Sequence, residues 1–312
     1  MCAPLSKTVR LAVCAVVWGF ASCEEPAIVD EPWVEQSVAV DMTLAALGGS
    51  EAIYNLPVEY AILNLSIFVA DAGSETFTNK FVYQTFSANT SSDDPSCKRV
   101  TFPSTFKPVG AKDVYVIANH DNAASLSAIN TVADLRALRT PRLSQGHLIP
   151  FERGLPMYGE SFGVEFSEAE PVHIHLTRTC SKIDFNLSFP DPTWVGTNNR
   201  AAILEAQSYT YYVPNSTEIP ATDLVQYPEV ILRPQPDPTK FQATIYIYES
   251  RYYLSYISIK TVVAGKNKEY VINSNVPLPV RNHMYTVLVE ILHPLTGPDA
   301  KATARVKTIM NY

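Results

Sequence analysis

The chain has 312 residues, 46% of them hydrophobic, and a formal net charge of −7. That length predicts two domains at the usual ~100–200 residues each, and the mild acidic excess argues against a nucleic-acid backbone as partner, which wants clustered Lys and Arg. With 17 Tyr, 13 Phe and 23 Pro against 12 Gly, the composition favours strands and turns over helical bundles.

The first 22 residues read as a secretory signal. Lys7 and Arg10 are followed by the apolar run Leu11 to Phe20 and by the small residues Ala21 and Ser22, directly before Cys23. The apolar run is too short to span a bilayer. Two small residues and then Cys resemble a lipoprotein box, with cleavage between Ser22 and Cys23 and acylation of the Cys23 thiol; Phe20 departs from the usual aliphatic residue. Lipid chains anchor at ~0.8 kcal/mol per buried CH₂. Glu24, Glu25, Asp30 and Glu31 make residues 23–35 an acidic tether, read either as a surface-export signal or as a solvated linker. Of the remaining cysteines, Cys97 and Cys180 either pair as a disulfide or stand as two buried thiols.

Alternation begins at Ser37. Val38, Val40, Met42 and Leu44 share one face of a first strand that Gly48-Gly49-Ser50 breaks. Ala61 to Val69 and Phe81 to Phe86 follow as strands, Asn89 to Ser96 as a polar loop, and the apolar run Asp113 to Ala118 as a buried strand. One short helix is predicted. Thr131 caps it, Asp134 is the acidic partner three residues on, Val132, Leu135 and Leu138 face inward, and Pro141 ends it. Arg136, Arg139 and Arg142 form a basic stripe read as a solvated face.

Strands His173 to Arg178 and Ile183 to Phe189 meet near residue 178, where the chain divides into halves of 36–178 and 179–312. Further strands are Ala206 to Val213, Val230 to Arg233, Phe241 to Tyr248, Tyr253 to Val263, Glu269 to Ile272 and Tyr285 to Leu292. Many short strands with few helices make this an all-β chain of sandwich type.

No phosphate loop, nucleophile elbow or Cys–His metal spacing occurs. His173 and His175 share a strand face without a third ligand. No catalytic residue, metal or cofactor is expected. Tyr209–Tyr212, Tyr246–Tyr256 and Trp194 offer a second reading, as platforms for sugars in a surface glycan binder.

Several segments, in chain order, resemble the fimbrillins of Bacteroidetes. They are Ala61 to Val69; Val114 to Asn119, ending in Ala-Asn; Pro156-Met157-Tyr158-Gly159-Glu160; Leu176-Thr177-Arg178 with Ser181-Lys182-Ile183-Asp184-Phe185; and Arg281-Asn282 before Tyr285 to Val289. The resemblance implies two transthyretin-like β-sandwich domains and assembly into surface fimbriae by strand addition between subunits, with an adhesion target left unknown. In polymerising members an arginine-specific protease removes the first strand. Here no Lys or Arg lies between Glu24 and Asn79, and the usual C-terminal Trp-bearing strand is missing. These departures point to the anchor branch, held to the outer membrane through Cys23, with Ala302, Ala304, Val306 and Ile309 in the segment handed to a neighbour. A stalk or tip subunit cut by a protease of other specificity is the alternative.

Overall fold

The computed structural model describes residues 39–44, 59, 61–83, 97–103, 105–120, 123–146, 148–149, 154–166, 172–214, 223–250, 254–263, 265–276, 279–291 and 304–311. The signal, Ser22, Cys23, the acidic tether, Val38, the loop 89–96 and Ala302 lie outside them.

Residues up to 178 form β1 (Ala39–Leu44), β2 (Leu65–Asp71), β3 (Phe77–Tyr83), β4 (Cys97–Thr101), β5 (Lys112–Ala118), α1 (Ala123–Ser127), α2 (Val132–Arg136), β6 (Met157–Val164) and β7 (Val172–Arg178). The seven strands make one sheet in the order β3-β2-β5-β6-β7-β1-β4. β7 joins its two parts. Its last residues Thr177 and Arg178 pair with Tyr158 and Met157 of β6, whereas Val172 to Leu176 run parallel to β1. The two strands part where β6 crosses β7 at Gly159. A Cβ there would lie 2.4 Å from the His175 carbonyl oxygen, so only glycine fits the crossing.

The rest of the chain adds β8 (Cys180–Ser188), β9 (Thr197–Ile203), β10 (Ala206–Gln207), β11 (Leu224–Val225), β12 (Val230–Ile231), β13 (Arg233–Pro234), β14 (Lys240–Tyr248), β15 (Leu254–Val263), β16 (Lys266–Val276), β17 (Met284–Ile291) and β18 (Ala304–Asn311). They form a four-stranded sheet β12-β9-β15-β16, a five-stranded sheet β13-β14-β8-β17-β18 and the small pair β10-β11. Tyr285, Val287, Val289 and Ile291 are buried while the residues between them are half-buried. That period of two sends one face of β17 into the core. Ile183, Phe185, Ile245 and Ile247 join it there, with Ile203, Ile257 and Ile259 from the other sheet.

Among the described residues the chain is all-β with two short α-helices, one more than the sequence predicts. α2 forms as expected: the Thr131 side chain accepts from the Asp134 amide, and Asp134 accepts from the Thr131 amide in return. The extra helix, α1, puts Leu126 into a second core with Val132, Leu135, Phe68 and Tyr115. Several strand bounds differ from expectation. β2 starts at Leu65 because the stretch before it bonds to the Asn119 side chain: the Leu63 amide donates to Asn119 Oδ1, and Asn119 Nδ2 donates to the Ala61 carbonyl. β3 starts at Phe77, four residues earlier than expected, because Phe77 packs against Phe68 and Tyr115. Of the expected strand 206–213 only Ala206–Gln207 is ladder; Ser208, Thr210 and Tyr212 bond instead to residues 138–143. β4, β6 and β9 carry no clear alternation and were not expected as strands.

Candidate subunit interface

β1 lies inside its sheet, not at an edge. Five of its residues pair in parallel with β7, from Val40↔Val172 to Leu44↔Leu176, and five pair antiparallel with β4, from Ala39↔Thr101 to Thr43↔Cys97. Positions 40, 42 and 44 stand opposite Val172, Ile174 and Leu176, which are buried, whereas His173 and His175 between them are exposed. A strand in this position satisfies two rows of backbone N–H and C=O groups. Without it, β7 and β4 present unpaired edges that another extended segment matches.

β18 lies at the edge of the five-stranded sheet and pairs antiparallel with β17 over eight residues. Ala304 and Val306 stand opposite buried Ile291 and Val289, but Ile309 stands opposite half-buried Thr286. The expected donor positions 304 and 306 therefore share one face of the strand, and 309 falls on the other. Beside β17 a depression of about 860 Å³ is lined by Ser188, Lys240, Phe241, Leu288 and Glu290. Asp237 at its rim is held down to about 2 by the Thr239 hydroxyl and amide, with Lys240 adding to them. It closes a turn.

The residues that carried the resemblance converge. Arg178, fully buried, donates from Nη1 to Asn282 Oδ1 at 2.7 Å and from Nε to the Glu59 carbonyl at 2.9 Å. Lys182 meets the Glu59 carboxylate at 3.1 Å, and the Tyr246 hydroxyl bonds to the same carboxylate. Asn282 has a positive φ of 59°, a conformation that Asn tolerates better than most residues, and its amide donates to the Cys180 carbonyl at 2.8 Å. Asn119, at φ 58°, uses its amide group to tie Ala61, Leu63 and Leu155 together. Gly154 leaves room for it, since a Cβ there would lie 2.4 Å from Asn119 Nδ2.

This arrangement matches solved structures over most of its length. The tip fimbrial protein Mfa3 from Porphyromonas gingivalis, with a C-terminal truncation, is similar at a TM-score of 0.54 and 14% identity, across 88% of this chain and 98% of that one. A fimbrial assembly protein from Parabacteroides distasonis is similar at a TM-score of 0.52 and 14% identity, across 88% of this chain and 99% of that one. The chain has a fimbrillin-like fold. No family model matches the chain, and no curated protein matches its sequence.

Within the fimbrillin-like fold the other candidates take structural places. Cys180 is a free thiol, wholly buried, and burial pushes it up to about 12; Cys97 lies in β4. His173 and His175 are exposed, and no group of three metal-ligating side chains occurs among the described residues. Tyr209, Tyr211, Tyr212, Tyr246 and Tyr248 are buried and Trp194 packs on the core; of the segment Tyr246–Tyr256 only Tyr256 is exposed among the described residues, and Tyr252 and Tyr253 lie outside them. The basic stripe is more than a solvated face. Arg139 lies 4.8 Å from the centre of the Tyr209 ring, and Arg142 pairs with Asp223. Two lone arginines after a short helix gave no sequence signal for these contacts, because their partners lie about seventy to eighty residues away.

Proposed function

We propose that this chain is a fimbrial subunit of the bacterial surface, made as a lipoprotein and built as two β-sandwich domains, 36–178 and 179–312. Lipidated Cys23 holds it at the outer membrane, and strand addition joins it to neighbouring subunits. The observation that carries the reading is the placement of β1, a strand distant in sequence from both of its neighbours yet inserted between them. The two solved fimbrial structures of the same fold support it. Keeping β1 suits an anchor, since no Lys or Arg is present from Glu24 to Asn79 for an arginine-specific cut. β18 is the segment given to the next subunit.

Intact mass and fractionation of the native protein test this reading. An anchor gives an acylated chain beginning at Cys23 and retained with the outer membrane. A lipid-free chain beginning after about residue 44, recovered in sheared fimbriae, is the outcome for a stalk or tip subunit and sinks the anchor.

A further inference from the structure

We propose that the two halves of the chain are clamped into one folding and load-bearing unit, with no hinge between them. Domains in one chain usually meet through modest interfaces and exposed linkers, so relative motion is the default. Here the covalent link between β7 and β8 is the single residue Thr179. It is wholly buried, and both its amide and its hydroxyl donate to the Pro156 carbonyl. Between β7 and β8 there is thus no exposed stretch at which a hinge could absorb backbone rotation.

A second connection is non-covalent. Past α2, residues 138–146 run as a strap along residues 208–212 of the other half. The Thr140 amide donates to the Thr210 carbonyl at 2.8 Å, Leu143 to Ser208 at 2.7 Å, Tyr212 to Leu138 at 3.1 Å, and Gly146 to Gln226 at 3.0 Å. The Thr140 hydroxyl accepts from the Thr210 amide at 2.9 Å. The Tyr248 hydroxyl donates to the Pro141 carbonyl at 3.0 Å. Side chains close over this zipper. Arg139 sits 4.8 and 5.5 Å from the centres of the Tyr209 and Tyr211 rings.

Arg281 holds the same segment. Its Nη1 and Nη2 donate to the Tyr212 and Tyr211 carbonyls at 2.7 and 2.9 Å, and its Nε donates to Glu249 at 2.7 Å. Glu249 in turn accepts from the Thr210 hydroxyl at 3.0 Å. The apolar contacts cross the junction as well. Tyr212 and Val213 pack into the core that α1 and α2 build on the first sheet. The main core runs without a break from Val69 through Leu176 and Cys180 to Val287. Opening the junction would strand the backbone groups of residues 138–146 and of Ser208, Thr210, Tyr212 and Gln226 away from their partners, a cost that rules out frequent opening; Arg281, bonded within its own half, keeps the facing segment 211–212 in place.

Hydrogen–deuterium exchange of the mature chain in a urea series tests the clamp and does not depend on any role in fimbriae. The expected result has two parts. The amides of Thr140, Leu143, Thr210 and Tyr212 exchange within about ten-fold of those in β5 and β8. Peptides from β5 and β14 lose protection at one shared urea midpoint. Junction amides that exchange about a thousandfold faster than the strands, or different midpoints for the two peptides, overturn the proposal. Thr140→Val with Tyr248→Phe, which removes two side-chain bonds across the junction, lowers the shared midpoint or splits it; Arg281→Met, which loosens the facing segment 211–212 from within its own half, lowers it as well. A midpoint that neither variant moves also overturns the clamp.

Discussion

At the scale of single residues, position matters more than residue type. Gly159 is required because two strands cross there. Gly159→Ala places a methyl 2.4 Å from the His175 carbonyl oxygen, and relief by backbone shift costs about 1–3 kcal/mol. A folding stability lowered by that amount in urea titration, with m unchanged, is the expected result. Asp184 shows the opposite case, a charge kept under protest. Burial raises its pKa above the ordinary 3.8, against the bond from the Thr244 hydroxyl and the pull of Lys182. A carboxyl with a raised folded pKa favours the fold while protonated. Its contribution is full below the unfolded value and is lost as pH rises through the folded value. Asp184→Asn should therefore raise the Tm at pH 7, with the gain vanishing below about pH 3.8. A Tm difference that grows toward acid pH would contradict this account.

At the scale of elements, local chemistry was readable wherever the signal was local. The capping box of α2 lies within four residues, and both of its bonds form. Thr131→Ala removes one of them at a cost of about 1 kcal/mol, seen as a lower urea midpoint with unchanged m. Strands with clean alternation, such as β8, β14 and β17, were legible for the same reason. β6 was not, because Gly159 and Gly163 interrupt its pattern where it crosses and bulges. The stretch 206–213 misled in the other direction. Its aromatic run reads as strand, but only two residues join a ladder, and Ser208, Thr210 and Tyr212 bond across the junction to a segment about seventy residues earlier. Such partners leave no periodicity in either segment.

At the scale of the whole molecule, β1 and β18 lie at opposite ends of the described chain and in different sheets. A clamped junction between them would let a pull on one strand reach the other without extending the subunit. Deleting residues 302–312 should leave an exported, folded chain, because β17 keeps β8 as its parallel partner. On the proposed function the deleted chain stays with the outer membrane but fails to retain fimbriae at the cell. Assembly at the wild-type level would show that β18 is not the donated strand.

The sequence by itself determined the all-β class, the cap of α2, the alternating strands and the residues whose order resembles fimbrillins. All of these are written in spacings of two to four residues or in short motifs. Only the tertiary structure decided what those motifs are for. Arg178 and Asn282 are 104 residues apart in the chain and 2.7 Å apart in the fold, and Glu59 closes the same cluster from a third segment. The insertion of β1 between β7 and β4, and the strap that joins the halves, were likewise decided there. Long-range pairing depends on which edges and buried carbonyls remain unsatisfied after local structure has formed, and no short stretch of sequence records that.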